Sequence, residues 1–306
     1  GISKLLYLIL SIAALVAIII GNAALSIFLG ILFTYFFKPP KIFFSRSIGT
    51  IPLQIGIVLL GATISLPYAI NISSEYLPWI SLFVIVSFFA GLLIGKILGI
   101  NNRIAFLLSS GAAICGGTAM AAVAPIIKAK PQELLIAMSI VFLLNAIAIL
   151  LFPLVGNYLE MSNFEFGAWS ALAIHDTSSV IGSAISYSNE SVQAAATLKL
   201  GRTIWLIPLI LIANWIINKN TQAAKFPRFI IFFLLAIIAN TVFSFNDEIL
   251  SNLQIASQSL LMLGLFCIGS QFELHELKSI SVKPLALALI LWSAVIPSAY
   301  FLVKYF

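Results

Sequence analysis

The sequence predicts an all-α polytopic membrane protein organised around two helices that are interrupted at mid-membrane. Three observations carry that expectation. Of the 306 residues, 61% are hydrophobic and only 8% are charged, and the mean hydropathy of +1.13 lies far outside the soluble range. Apolar windows of about twenty residues, the length that crosses a bilayer, recur along the whole chain. Two of these windows carry, at mid-length, residues that let a helix stop, expose its backbone and restart: Cys115-Gly116-Gly117-Thr118 and His175-Asp176-Thr177-Ser178-Ser179.

In order, the windows fall at residues 5–20, 23–37, 51–70, 79–98, 104–127, 134–155, 168–185, 192–217, 229–242, 249–272 and 285–303. The first follows Lys4 and is succeeded by Gly21-Asn22-Ala23, a small-residue pattern that a cleaved leader also carries. A second apolar run begins at once, so the first is read as a retained span. The whole of 1–306 is expected as one integral membrane unit. N-terminal spans occupy 1–45, and a first repeat over 46–160 includes the broken helix 104–127. The region 164–218 holds the second broken helix, 168–185, with the core span that follows it, and C-terminal spans fill 227–306. Residues 113–120 align with 172–179 at an offset of about sixty, and Gly56 and Gly61 align with Gly264 and Gly269, which points to inverted repeats.

Charge placement orients the spans, because Lys and Arg stay on the cytoplasmic side of short loops. If each broken segment dips in and returns as a re-entrant hairpin, thirteen cationic residues share one face, among them Lys38, Lys41, Arg46, Arg103, Lys128, Lys130, Lys219 and Lys225. Only Lys304 then falls on the other. If the broken segments cross fully, Lys128 and Lys130 move outside and the asymmetry weakens. The hairpin topology is preferred and the crossing one stays open. Nearly all the cations flank spans, so the net charge of +6 is a topology signal and nucleic acid is not an expected partner.

Ionisable groups inside spans cost several kcal/mol unless paired or hydrated, so His175, Asp176, Lys199 and Arg202 stand out. Lys199 and Arg202 are three positions apart and share a helix face. In one reading Asp176 is their ion-pair partner and the trio merely holds the second break to its neighbour. In the other, the two cations leave net positive charge over Asp176, where half-helix N-termini also direct positive dipole ends, and the site takes a small inorganic or organic anion. His175 is then a carrier for a coupling proton or, equally, a histidine bonded to a carbonyl.

Thr118 is expected as the N-cap of the helix restarting after Gly117. The hydroxyls of Thr118, Thr177, Ser178 and Ser179 either meet the ligand or bond back to the preceding turn. Cys115 reads as a small apolar filler, and with Cys267 also inside a span no disulfide framework is expected. Asn145 reads as an inter-helix hydrogen-bonding group, and the five tryptophans mostly as interfacial belts. Phosphate-loop, HExxH and GxSxG motifs are absent.

The stretches Gly111 to Met120 (GAAICGGTAM), His175 to Val180 (HDTSSV) and Lys199 to Thr203 (KLGRT), in this order, resemble the YeiH-type family of bacterial inner-membrane proteins, which is named for sulfate export. The resemblance covers essentially the whole chain. Cys115-Gly116-Gly117-Thr118 is also similar to the crossing-helix motif of the bile-acid sodium symporters, within the wider group of cation/proton antiporter and anion transporter folds. That likeness implies a core domain with two broken helices, a scaffold domain, and elevator-type alternating access in a homodimer.

The expected function is secondary active transport of a small anion, of the sulfate, sulfite or small organosulfonate kind, across the bacterial inner membrane. Cys115, Gly116, Gly117, Thr118, His175, Asp176, Thr177, Ser178, Ser179, Lys199 and Arg202 are the substrate-site candidates. Asp176, His175 and Thr118 are the candidates for coupling to sodium or protons. No cofactor beyond a sodium ion and no metal-ligand cluster is expected, and membrane lipid is the remaining partner. A passive anion channel is the alternative, but it would need a polar stripe along several spans. An intramembrane serine enzyme is disfavoured, because adjacent His175 and Asp176 in one short break cannot readily line up on a neighbouring serine.

Overall fold

A computed structural model describes residues 2–21, 23–41, 43, 51–124, 126–218, 228–271 and 273–306. In chain order the helices are α1 (Ile2–Ile20), α2 (Ala23–Phe37), α3 (Ile51–Gly61), α4 (Leu66–Ile97), α5 (Asn102–Ser110), α6 (Gly117–Val123), α7 (Pro131–Tyr158), α8 (Asn163–Ala173), α9 (Thr177–Tyr187), α10 (Ser191–Thr203), α11 (Leu206–Asn218), α12 (Arg228–Phe243), α13 (Asp247–Gln271) and α14 (Val282–Lys304). A π turn spans Gly111–Cys115 and a 3-10 turn Leu274–Ser279. Among the described residues there is no strand, and six helical stretches are long and apolar enough to cross a membrane. The chain is an all-α polytopic membrane protein. Arg46, Lys219 and Lys225 of the expected positive face lie outside the described residues.

Two windows differ from expectation. Residues 51–70 and 79–98 are expected as separate spans, yet α4 starts at Leu66 and runs for 32 residues through the polar stretch Asn71 to Glu75 and through Pro78. Its buried residues Ile72, Tyr76, Ile80, Phe83, Ser87, Gly91 and Gly95 recur every three or four positions. One face therefore stays packed while the polar groups turn outward. The run 192–217 is one stretch long and apolar enough to cross a membrane, as expected, with a short turn between α10 and α11. Thr203 Oγ1 there donates back to Lys199 O (2.9 Å), a bond that bends helices.

The chain divides into two compact units, residues 1–69 with 228–277 and residues 70–227 with 278–306. In the first unit α2 and α13 run parallel in register. Ser26 Oγ donates to Met262 Sδ (3.5 Å) and Thr34 Oγ1 to Ser270 O (2.5 Å), both at a separation of 236 positions. Gly30 permits the close approach between them, since a Cβ there would lie 2.1 Å from Phe266 O. Ser257 Oγ donates to Gly56 O (2.7 Å) and Asn240 Nδ2 to Ile64 O (3.2 Å), tying α3 and the turn after it to α13 and α12.

The second unit is built on two helical hairpins and the helix that joins them. The first hairpin descends through α5 and the π turn, reverses at Gly116 and returns through α6. Its ends meet: Arg103 Nη1 donates to Lys128 O (3.0 Å), while Glu133 accepts from Asn101 Nδ2 (3.2 Å) and Lys130 N (2.8 Å). The second hairpin descends through α8, reverses at residues 174–176 and returns through α9. Its ends also meet, through Ser188 Oγ donating to Asn163 Oδ1 (2.8 Å), Asn163 Nδ2 donating to Glu190 Oε2 (3.0 Å), and Tyr187 OH donating to Met161 O.

Between the two bases runs α7, whose 28 residues span roughly 42 Å at 1.5 Å per residue. Glu133 at its first turn belongs to the first base, and Met161, just past Tyr158, belongs to the second. The hairpins therefore enter this unit from opposite ends. Glu133→Ala removes the shared acceptor of the first base and is expected to cost about 1–2 kcal/mol. Thermal unfolding in detergent checks this, and an unchanged midpoint would show that the base is held by other contacts.

Candidate functional site

The two hairpin tips touch. Gly116 takes φ +63° and ψ −129°, and a Cβ there would lie 2.8 Å from Asp176 Cβ and 3.1 Å from both its Cα and N. Only a glycine lets the backbones come this near at a positive φ. Asn145, fourteen residues from Pro131 and thirteen from Tyr158, donates through Nδ2 to Asp176 Oδ2 (2.5 Å). The meeting point is halfway along α7.

Gly116, rather than Thr118, holds the N-cap position of α6, and Thr118 is the second residue of that helix. A glycine can take the reversed backbone conformation that the turn demands, whereas a threonine there would be strained. At the other tip Asp176 caps α9, its Oδ1 accepting from Ser179 N (2.7 Å). The side chains of Thr118 and Ser178 lie outside those described.

Lys199 and Arg202 are wholly shielded on α10 and make their bonds to main chain. Arg202 Nε donates to Ala113 O (2.7 Å) and its Nη2 to Ala112 O, both at the end of the first descending arm. Its Nη1 donates to Ala171 O (2.9 Å), Leu172 O (2.7 Å) and Ile174 O (3.0 Å) at the end of the second. Lys199 Nζ donates to Ile174 O (3.0 Å) and to His175 O. Descending arms that stop inside a membrane expose unpaired C-terminal carbonyls carrying partial negative charge. One guanidinium satisfies both sets at once. Among the described residues no ion pair joins either cation to Asp176, so carbonyls replace the expected carboxylate partner.

His175 is buried against Trp292, ring centroids 5.9 Å apart, and its Nδ1 has no hydrogen-bond partner among the described residues. Asn145 Oδ1 is likewise buried and unpartnered. Trp292 Nε1 donates to Ala173 O (2.8 Å) and Trp169 Nε1 to Ile296 O (3.0 Å). These two indoles are therefore interior, and the interfacial belt expected of the tryptophans does not include them. Cys115 ends the π turn as a buried free thiol.

Around the tips nearly every residue is buried, but Gly117, Asp176 and Thr177 are partly open. A Cβ on Gly117 would meet nothing within 4 Å. The opening is thus bordered by a carboxylate and by the start of α9, with two committed cations behind it. Two basic side chains against one carboxyl give these three a formal net charge of +1, felt across low-dielectric protein rather than by contact. Asn145 is the inter-helix hydrogen-bonding group its place in a span predicts, with Asp176 as its partner. Trp292 is the member of this cluster that sequence reasoning placed elsewhere, among the interfacial tryptophans.

The family model described as Conserved hypothetical protein 698 matches residues 2–288. The chain is 36% identical over 269 residues to a UPF0324 membrane protein of Bacteroides thetaiotaomicron, covering 87% of this chain and 82% of that one. It is 36% identical over 294 residues to a UPF0324 membrane protein of Photobacterium profundum, covering 96% and 89%. To a UPF0324 membrane protein of Shewanella oneidensis it is 39% identical over 255 residues, covering 83% and 80%. No solved structure matches the chain.

Proposed function

The chain belongs to the Conserved hypothetical protein 698 family of membrane proteins, the YeiH-type family its motifs resemble, and from that premise we propose that it is a secondary active transporter for a small anion. The supporting observation is the abutment of Gly116 on Asp176 halfway along α7, with space beside Gly117. Interrupted helices place backbone polar groups at membrane depth, which is tolerated where they line a cavity, and substrate sites form at such interruptions. The excess of buried cations over carboxylate, and the positive dipole end of α9, favour a negative substrate. Sulfate, sulfite and small organosulfonates are the substrate class.

Asp176, steadied by Asn145, and His175 are the groups that couple transport to sodium or protons. The oppositely directed hairpins are the centres of two inverted repeats. The unit that carries them is the moving core, the other unit is the scaffold of a homodimer, and the cycle is elevator-type alternating access in the bacterial inner membrane. No chemical step is catalysed.

Proteoliposomes containing the purified chain are expected to take up labelled sulfate, sulfite or a small sulfonate saturably, at a rate set by an imposed sodium or proton gradient. Asp176→Asn is expected to reduce gradient-driven uptake at least about tenfold, the scale of one lost charge-assisted contact. Unsaturable flux carried as single-channel currents would assign a passive anion channel instead. Folded protein that moves none of these anions would overturn the reading.

A further inference from the structure

We propose that the first unit binds the headgroup of an anionic phospholipid in the cavity where α2 and α13 end. The cavity measures about 410 Å³, and Ile31, Tyr35, Lys38, Pro39, Leu274 and the Glu273–His275 pair line it. Because α2 and α13 run parallel in register, their ends lie side by side. The apolar stretch Phe28–Phe37 stops one residue before Lys38, and α13 stops at Gln271, two residues before Glu273. The cavity therefore opens where the apolar length ends, the depth at which lipid headgroups lie.

Its chemistry suits an amphiphile with a negative head. Lys38 leaves α2 in a left-handed conformation (φ +41°) and is exposed, and among the described residues no carboxylate forms an ion pair with it. The acid in the cavity, Glu273, is engaged by His275 (Nε2 to Oε2, 3.1 Å), a contact that is an ion pair when the imidazole is protonated. Lys38 thus stands as the cation open to a phosphate, with the Tyr35 hydroxyl as a second donor. Ile31, Pro39 and Leu274 make an apolar wall that a free inorganic anion would leave unused. Beside it Phe36 and Phe37 are 68% and 42% exposed, a surface for acyl chains. Lys38 and Lys41 also belong to the face that charge placement assigns to the cytoplasmic leaflet, where anionic lipids gather against basic residues.

The test is thermal unfolding of the purified full chain in detergent with added phosphatidylglycerol, phosphatidylcholine or inorganic phosphate. Phosphatidylglycerol is expected to raise the midpoint and the other two to leave it in place. Lys38→Met should lower the apparent affinity for phosphatidylglycerol about tenfold, the scale of one lost charge-assisted contact. Lys38→Arg should preserve it. Native mass spectrometry of the same samples should count one phosphatidylglycerol fewer on Lys38→Met than on the unaltered chain. Equal shifts with phosphatidylcholine or inorganic phosphate, no shift at all, or an undiminished response in Lys38→Met would each overturn the proposal. The readout is lipid retention, so it stands apart from any transport assay.

Discussion

Arg202→Ala is expected to leave little folded protein, and what folds should be less stable by on the order of 3–5 kcal/mol, as when one partner of a buried charged network is removed. The guanidinium makes five hydrogen bonds, two to the first hairpin and three to the second. Truncation takes a donor from all five carbonyls at a depth where water does not replace it, and among the described residues only Ile174 O keeps another side-chain donor, Lys199 Nζ (3.0 Å). Two helix C-termini would then face each other with only Lys199 to offset their dipoles. Arg202→Lys should rescue poorly, because a single ammonium lacks the planar fork that reaches both arms. The measurement is the monodisperse fraction and unfolding midpoint after purification. A wild-type midpoint for Arg202→Ala would show that the guanidinium is no staple and return it to the role of a ligand-binding group.

Replacing the two adjacent tip glycines should give opposite results. Gly116→Ala places a Cβ 2.8 Å from Asp176 Cβ and 3.1 Å from Asp176 backbone, at a φ of +63°. Strain of about 1–3 kcal/mol from the backbone alone is expected, and the tips must separate to relieve the clash. Transport should fall to background together with stability. Gly117→Ala adds a Cβ with nothing within 4 Å, at the first residue of α6, so stability should hold or rise by about 0.5–1 kcal/mol. Gly117→Leu should then fold normally and still abolish transport, since the larger side chain fills the opening beside Asp176 and Thr177. Full uptake by folded Gly117→Leu would mean that substrate passes elsewhere.

Both interruptions were legible in the sequence because Gly116-Gly117 and His175-Asp176 are out of character in otherwise apolar windows. What surrounds them was less so. The partners of Lys199 and Arg202 are main-chain carbonyls, and a carbonyl has no letter in a sequence, so Asp176 stood as the only visible counter-charge. The cap of α6 was misplaced onto Thr118 for a related reason: N-cap preference names the residue with a side-chain acceptor, whereas here a positive φ decided the position in favour of Gly116. The continuous α4 was hidden because polar Asn71 to Glu75 falls between the apolar windows 51–70 and 79–98, while the stripe Ile72, Tyr76, Ile80 that keeps it helical shows only by spacing. Trp169 and Trp292 could not be told from belt residues without knowing that carbonyls wait inside for their indole N–H groups.

The seating of the second hairpin tip at the middle of α7 is open to direct measurement by a cysteine pair, Asn145→Cys with Asp176→Cys, in a chain whose Cys115 and Cys267 are replaced by alanine. The native side chains at these positions are 2.5 Å apart, so a short thiol bridge should form readily and be recovered as one linked peptide pair. A control pair, Asn145→Cys with Ser188→Cys, puts the second thiol at the far end of α9, roughly 18 Å away at 1.5 Å per residue, and should not link. Linking of the control as fast as the tip pair, or none of the tip pair, would contradict the seating of Asp176 at the middle of α7, the position where Gly116 abuts it and on which the transport reading rests.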